Sequence, residues 1–114
     1  MASPYRVDPQ HDLILVCPTG VFSETEFISL LRAIYDDPDR EPHFSAVWDT
    51  RFIDELSMGV RVIPMYRRFL AENAARMTEG NICIITGWDT ARTFASMLIR
   101  LAAPDAPTYK VVET

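Results

Sequence analysis

Histidine and cysteine are scarce in this 114-residue chain, with two of each, and their scarcity removes whole classes of chemistry. His11 and His43 fall in separate loops without metal-ligand spacing, so neither a metal nor any other cofactor is expected. Cys17 and Cys83 lie in apolar, strand-like runs and read as two buried free thiols, in effect small hydrophobes. No histidine stands near either cysteine in sequence to act as a base. Glycine is also rare. Gly20, Gly59, Gly80 and Gly87 are isolated, so there is no Gly-x-Gly-x-x-Gly or Walker loop to cradle a phosphate. There is no Gly-x-Ser-x-Gly nucleophile elbow either.

No apolar run approaches the roughly 20 residues needed to span a bilayer, so no integral membrane segment is expected. Met1-Ala2-Ser3-Pro4 does not read as the start of a signal peptide, which makes the cytoplasm the default location. Eleven basic residues against sixteen acidic ones leave a net charge of −5. Phosphate binding needs a basic surface, so a nucleic-acid partner is not expected.

What the chain does contain is an alternation of short apolar runs and amphipathic segments. Tyr5-Arg6-Val7 and Leu13-Ile14-Leu15-Val16-Cys17, separated by the turn Pro9-Gln10-His11-Asp12, read as an antiparallel hairpin whose second strand is central and buried on both faces. Ser23-Glu24-Thr25-Glu26 fits a capping box, and Phe27, Leu30, Leu31 and Ile34 follow at helical spacing. Asp36-Asp37-Pro38 stops that helix, because the residue before proline avoids the helical region. Ala46-Val47-Trp48 reads as the next strand, and residues 50–57 as a loop.

A second helix is expected over about 58–77, with Met58, Val62, Met65, Phe69 and Leu70 on its apolar stripe. Pro64 either kinks it or marks the start of its main part, and Glu79-Gly80 supplies the stop. Ile82-Cys83-Ile84-Ile85-Thr86 is another doubly buried strand. Asp89 can cap a third helix with Phe94, Met97, Leu98 and Leu101 on its inner stripe, and Tyr109-Lys110-Val111-Val112 is the last strand. The expected fold is therefore one α/β domain over 1–114, with a mixed, mostly parallel sheet of about five strands and three main helices.

In such sheets ligands bind beyond the carboxyl ends of the strands. The candidate binding rim there is Asp49, Arg51, Asp54, Trp88, Asp89 and Arg92. Simpler roles compete for most of these residues. Asp49 can pair with Arg51 or accept from loop amides, Trp88 can cover the sheet end, and Ser23, Ser57 and Asp89 are residue types that cap helices. Arg92 opposes its helix dipole, which favours pairing with Asp49 or Asp89, or holding an anion. Arg61, Arg67, Arg68 and Arg76 read as a solvated face. Asp49 after a central strand is where response-regulator receivers carry their phosphoacceptor, but Cys17-Pro18-Thr19 supplies none of the acidic pair those proteins need.

The order and spacing of these segments resemble the SpoIIAA-like, STAS-type superfamily, and within it the small bacterial STAS/SEC14-like proteins. The carrying segments are Tyr5-Arg6-Val7, the stretch 13–20, the helix from Ser23 to Asp37, Val47-Trp48-Asp49-Thr50-Arg51, the stretch 81–86, and Ala91-Arg92 with Phe94. The resemblance implies a β-α superhelix without metal or catalysis. It also implies a further helix after the last strand, which would be missing or shortened in a chain that stops at Thr114. In the anti-sigma antagonists of the superfamily, a serine at the start of the second helix is phosphorylated. Phe52-Ile53-Asp54-Glu55-Leu56-Ser57-Met58-Gly59 is similar to that region, which makes Ser57 a candidate phosphosite; the stretch lacks the Asp-Ser-Ser pair and inserts residues between Asp54 and Ser57.

Two functions follow as expectations. The first is a non-enzymatic regulatory or protein-interaction module, with a protein partner or a homodimer covering any bare sheet face. The second is a carrier or sensor of a small apolar, lipid-like ligand held among Met58, Met65, Tyr66, Phe69, Trp88, Phe94 and Met97.

Overall fold

The computed structural model describes residues 3–76 and 79–87, Thr93, Ser96 and the backbone of 109–113. β1 (Tyr5–Asp8) and β2 (Leu13–Val16) form the expected antiparallel hairpin. β3 (Gly20–Ser23) follows and runs directly into α1 (Glu24–Asp36). Then come β4 (Ser45–Asp49), β5 (Ile53–Ser57), α2 (Val62–Glu72), a single 3-10 turn (Ala74–Arg76), β6 (Ile82–Thr86) and β7 (Tyr109–Glu113).

The main sheet has the order β1-β2-β4-β6-β7 and is parallel except at β1. The crossovers from β2 to β4 and from β4 to β6 step the same way across it. Right-handed crossovers that all step one way lie on one face. Accordingly Ile14, Val16, Ala46 and Ile82 of the sheet share one core with Phe27, Leu30, Leu31 and Ile34 of α1 and Val62, Tyr66, Phe69 and Leu70 of α2. Phe27 joins the layers, edge-on to Trp48 at 5.8 Å and tilted against Tyr66 at 5.6 Å. Tyr35 and Phe69 stack edge to face at 4.9 Å between the helices.

The helix signals of the first half hold. Ser23 caps α1, its hydroxyl accepting from the Glu26 amide at 3.2 Å. The Glu26 carboxylate reaches that same hydroxyl, at 3.3 Å, which closes the box on the side chain. Asp37, extended ahead of Pro38, ends the helix. The second helix differs from expectation. It begins only at Val62, which puts Pro64 in the first turn, where its missing N–H has no helical partner to lose. It ends at Glu72, because the Asn73 side-chain amide donates to the Phe69 carbonyl at 2.8 Å and diverts the chain.

Four further expectations are corrected and a fifth is refined. Residues 53–57 are not loop: they pair in parallel with Gly20–Ser23 as a separate two-stranded ribbon. Ser57 therefore ends a strand and caps nothing; the residue before α2 is Arg61, with no side-chain cap. Cys17 lies one residue past β2 and is exposed, and Cys83 is half-buried, so neither is an interior thiol. Arg76 is exposed, as expected of a solvated face, but it also donates to Asn73 Oδ1, the Tyr35 carbonyl and Asp36 Oδ1, which ties the end of α2 to the end of α1. β2 and β6 are not buried on both faces, since Leu13, Leu15, Cys83 and Ile85 are only half-buried. The expected third helix falls between β6 and β7, where only Thr93 and Ser96 are among the described residues; both are helical.

Candidate functional site

β2, β4 and β6 run parallel and end on one edge of the sheet, at Val16, Asp49 and Thr86. Thr50 fixes the loop that leaves this edge. Its amide and its hydroxyl both donate to the Ile85 carbonyl, at 2.9 and 2.7 Å. The chain then turns back so that Arg51 grips Asp49. Arg51 Nε donates to Oδ1 at 2.9 Å, Nη2 to Oδ2 at 2.8 Å, and the Arg51 amide to Oδ1 at 3.1 Å. Gly87 makes room for this fork, since a Cβ there would stand 3.2 Å from Arg51 Cγ. The guanidinium also lies 5.7 Å from the centre of the exposed Phe52 ring.

The fork decides the electrostatics of the rim. Hydrogen bonds from Arg51 hold the Asp49 carboxyl below its ordinary value, against partial burial that acts the other way. Asp49 in turn raises Arg51. The Cys17 thiol is pushed up, first by desolvation and then by the negative Asp49, with Arg51 opposing. Cys17 is thus kept as a thiol, the opposite of what a nucleophile needs. Both Asp49 oxygens are committed to Arg51, which matches the simpler of the two roles the sequence allows this residue.

Because the folded Asp49 binds its proton less readily than the unfolded chain does, the unfolded state takes up more protons as pH falls. The stabilisation from the pair is therefore complete above the ordinary value of 3.8 and is lost as pH falls through the lower folded value. Carboxyl-detected NMR titration should find Asp49 titrating below 3.8, and Arg51→Met should return it upward. An Asp49 midpoint unmoved by Arg51→Met would sink this account of the pair.

The remaining rim residues do not gather here. Asp54 is exposed and sits at an irregularity of the ribbon: Gly20 faces Ile53 and Val21 faces Glu55, so Asp54 has no counterpart on β3. Ser57 is exposed and in register with Ser23. Trp88, Asp89 and Arg92 lie outside the described residues. Of the side chains expected to line an apolar pocket, Tyr66 and Phe69 are core residues; Met58 and Met65 pack on the core partly buried, and Trp88, Phe94 and Met97 lie outside the described residues. One contact had no signal in sequence: Glu24 Oε2 accepts from the Gly59 amide at 3.1 Å, across 35 positions. It ties the start of α1 to the turn before α2.

Among the described residues no group of three or more His, Cys, Asp or Glu could hold a metal ion, and no helix is long and apolar enough to cross a membrane. Compared with known proteins, the chain matches no family model, no curated protein and no solved structure.

Proposed function

We propose that the chain is a non-enzymatic, STAS-type interaction module that works as a homodimer. The carrying observation is the sheet face turned away from α1 and α2. Leu15, Val47 and Cys83 form one row across three strands, with Leu13 and Ile85 beside them. All five are half-buried, and none belongs to the core cluster or packs against it. Apolar surface of this kind gains free energy when covered. The border of the face carries both signs, with Arg6 and the register position of Lys110 against Asp8 and Asp49, and such a mixture suits a second copy.

The one-directional β-α progression is what the STAS resemblance implies, and the commitment of Asp49 to Arg51 weighs against catalysis at the rim. Static light scattering tests the reading. The wild type is expected near twice the 13.0 kDa chain mass, and Val47→Lys, which sets a charge in the middle of the row, is expected at the single-chain mass with its fold retained. A wild type that stays at the single-chain mass at high concentration removes the dimer.

A further inference from the structure

The β3–β5 ribbon stands apart from the main sheet and has no other strand partner among the described residues. A two-stranded ribbon is marginal alone, and each of its strands presents an edge of backbone N–H and C=O groups. Its inner side is anchored by Phe22, which is buried, and by Leu56, which packs partly buried on the core. Its outer side is unusual. The exposed large hydrophobics among the described residues are Val21, Phe52 and Val60, and all three fall on the ribbon or its flanks. Val21 is in register with the exposed Glu55, and Phe52 immediately precedes β5.

The charge of the ribbon's own segments has one sign, with the exposed Arg51, beside Phe52, and Arg61 standing just outside them. Segments 20–26 and 52–60 hold Glu24, Glu26, Asp54 and Glu55 and no Lys or Arg. Glu24 and Glu26 are engaged, with the Gly59 amide and with Ser23. The side chains of Asp54 and Glu55 are exposed and make no hydrogen bond or ion pair among the described residues.

We propose that the free edge of β5 receives a cationic, extended segment of a partner protein as a third strand. Main-chain hydrogen bonds to the edge supply affinity, and alternate side chains supply selectivity. Lys or Arg residues of the segment meet Asp54 and Glu55, and its apolar residues cover Val21 and Phe52. The same carboxylates and the irregularity at Gly20 blunt the edge against another copy of this chain, whose net charge is −5. An edge that was blunted and nothing more would reject every strand alike, so charge selectivity separates the two readings.

The proposal rests on the chain being an interaction module but uses a different surface from the dimer face. The test is titration of the isotope-labelled full chain with a capped peptide of alternating Lys and Val, followed by amide chemical shifts at low salt. Saturable shifts centred on residues 53–57 are expected. Binding is expected to weaken roughly tenfold or more in the Asp54→Lys, Glu55→Lys double variant and with a Glu/Val peptide of the same length. Circular dichroism checks that the double variant is folded. Val47→Lys, which separates the dimer, is expected to bind the peptide as the wild type does. Absence of saturable shifts, shifts centred elsewhere, or equal binding of the two peptides would overturn the proposal and leave the dimer reading standing.

Discussion

Gly80→Ala is expected to destabilise the fold by about 2–3 kcal/mol, the upper part of the range for an overpacked interior site. A Cβ at Gly80 would stand 2.6 Å from the Phe44 carbonyl oxygen, 2.8 Å from the Phe44 carbonyl carbon and 2.8 Å from the His43 carbonyl oxygen. All three atoms are backbone, so no side chain can swing aside. The neighbouring hydrogen bonds also prevent the strands from easing apart. Glu79 donates its amide to the Pro42 carbonyl at 2.7 Å, and Ala46 donates to the Asn81 carbonyl at 2.9 Å. Phe44 cannot retreat either, since its side chain is 3% exposed and belongs to the core. Relief must come from shifting β6 against β4, the central pair of the sheet. Urea denaturation gives the measurement, and Gly59→Ala is the control, because a Cβ there meets nothing within 4 Å. Equal losses in the two variants would show that chain entropy, and not the close approach, makes Gly80 matter.

Gly80 also marks the boundary of what sequence could reveal. Glu79-Gly80 reads as a helix stop, because glycine after a helical pattern usually is one. The helix ends seven residues earlier than Glu79, at Glu72, through the Asn73 side chain, and Gly80 serves a strand-to-strand approach that only the tertiary structure creates. The same division runs through the chain. Signals within a few residues of each other were legible: the Ser23–Glu26 cap, the Asp37–Pro38 stop, the antiparallel hairpin and the apolar strand cores. The β3–β5 ribbon was not, because its strands are 33 positions apart by the pairing of Gly20 with Ile53, and one carries Asp54 and Glu55 where an alternating apolar pattern would be sought.

Burial on one face or two also escaped the sequence. Leu-Ile-Leu-Val and Ile-Cys-Ile-Ile read as strands covered on both sides, whereas α1 and α2 cover one. At the rim, Asp49 and Arg51 were legible as a pair because they are two residues apart. The part that Gly87 and Ile85 play in holding that pair depends on β6 lying beside β4, which no local pattern encodes.

The β6 edge supplies a second substitution, with the opposite sign. Thr86→Val is expected to stabilise the fold by about 1–2 kcal/mol, within the range for relieving an unsatisfied buried polar group. Thr86 ends β6, is 0% exposed, and its hydroxyl has no hydrogen-bond partner among the described residues. A hydroxyl taken out of water without compensation is a standing cost, while its methyl packs like that of valine. Valine keeps the branched shape and volume and suits a strand at least as well. Thr86→Ser is the informative companion: it keeps the uncompensated hydroxyl and deletes the methyl, so it should lose about 1 kcal/mol. The two denaturation midpoints should then fall on opposite sides of the wild type. A Val variant less stable than the wild type would mean that the hydroxyl is satisfied in solution, for instance by an ordered water, and the edge beside Asp49 would then be polar and hydrated.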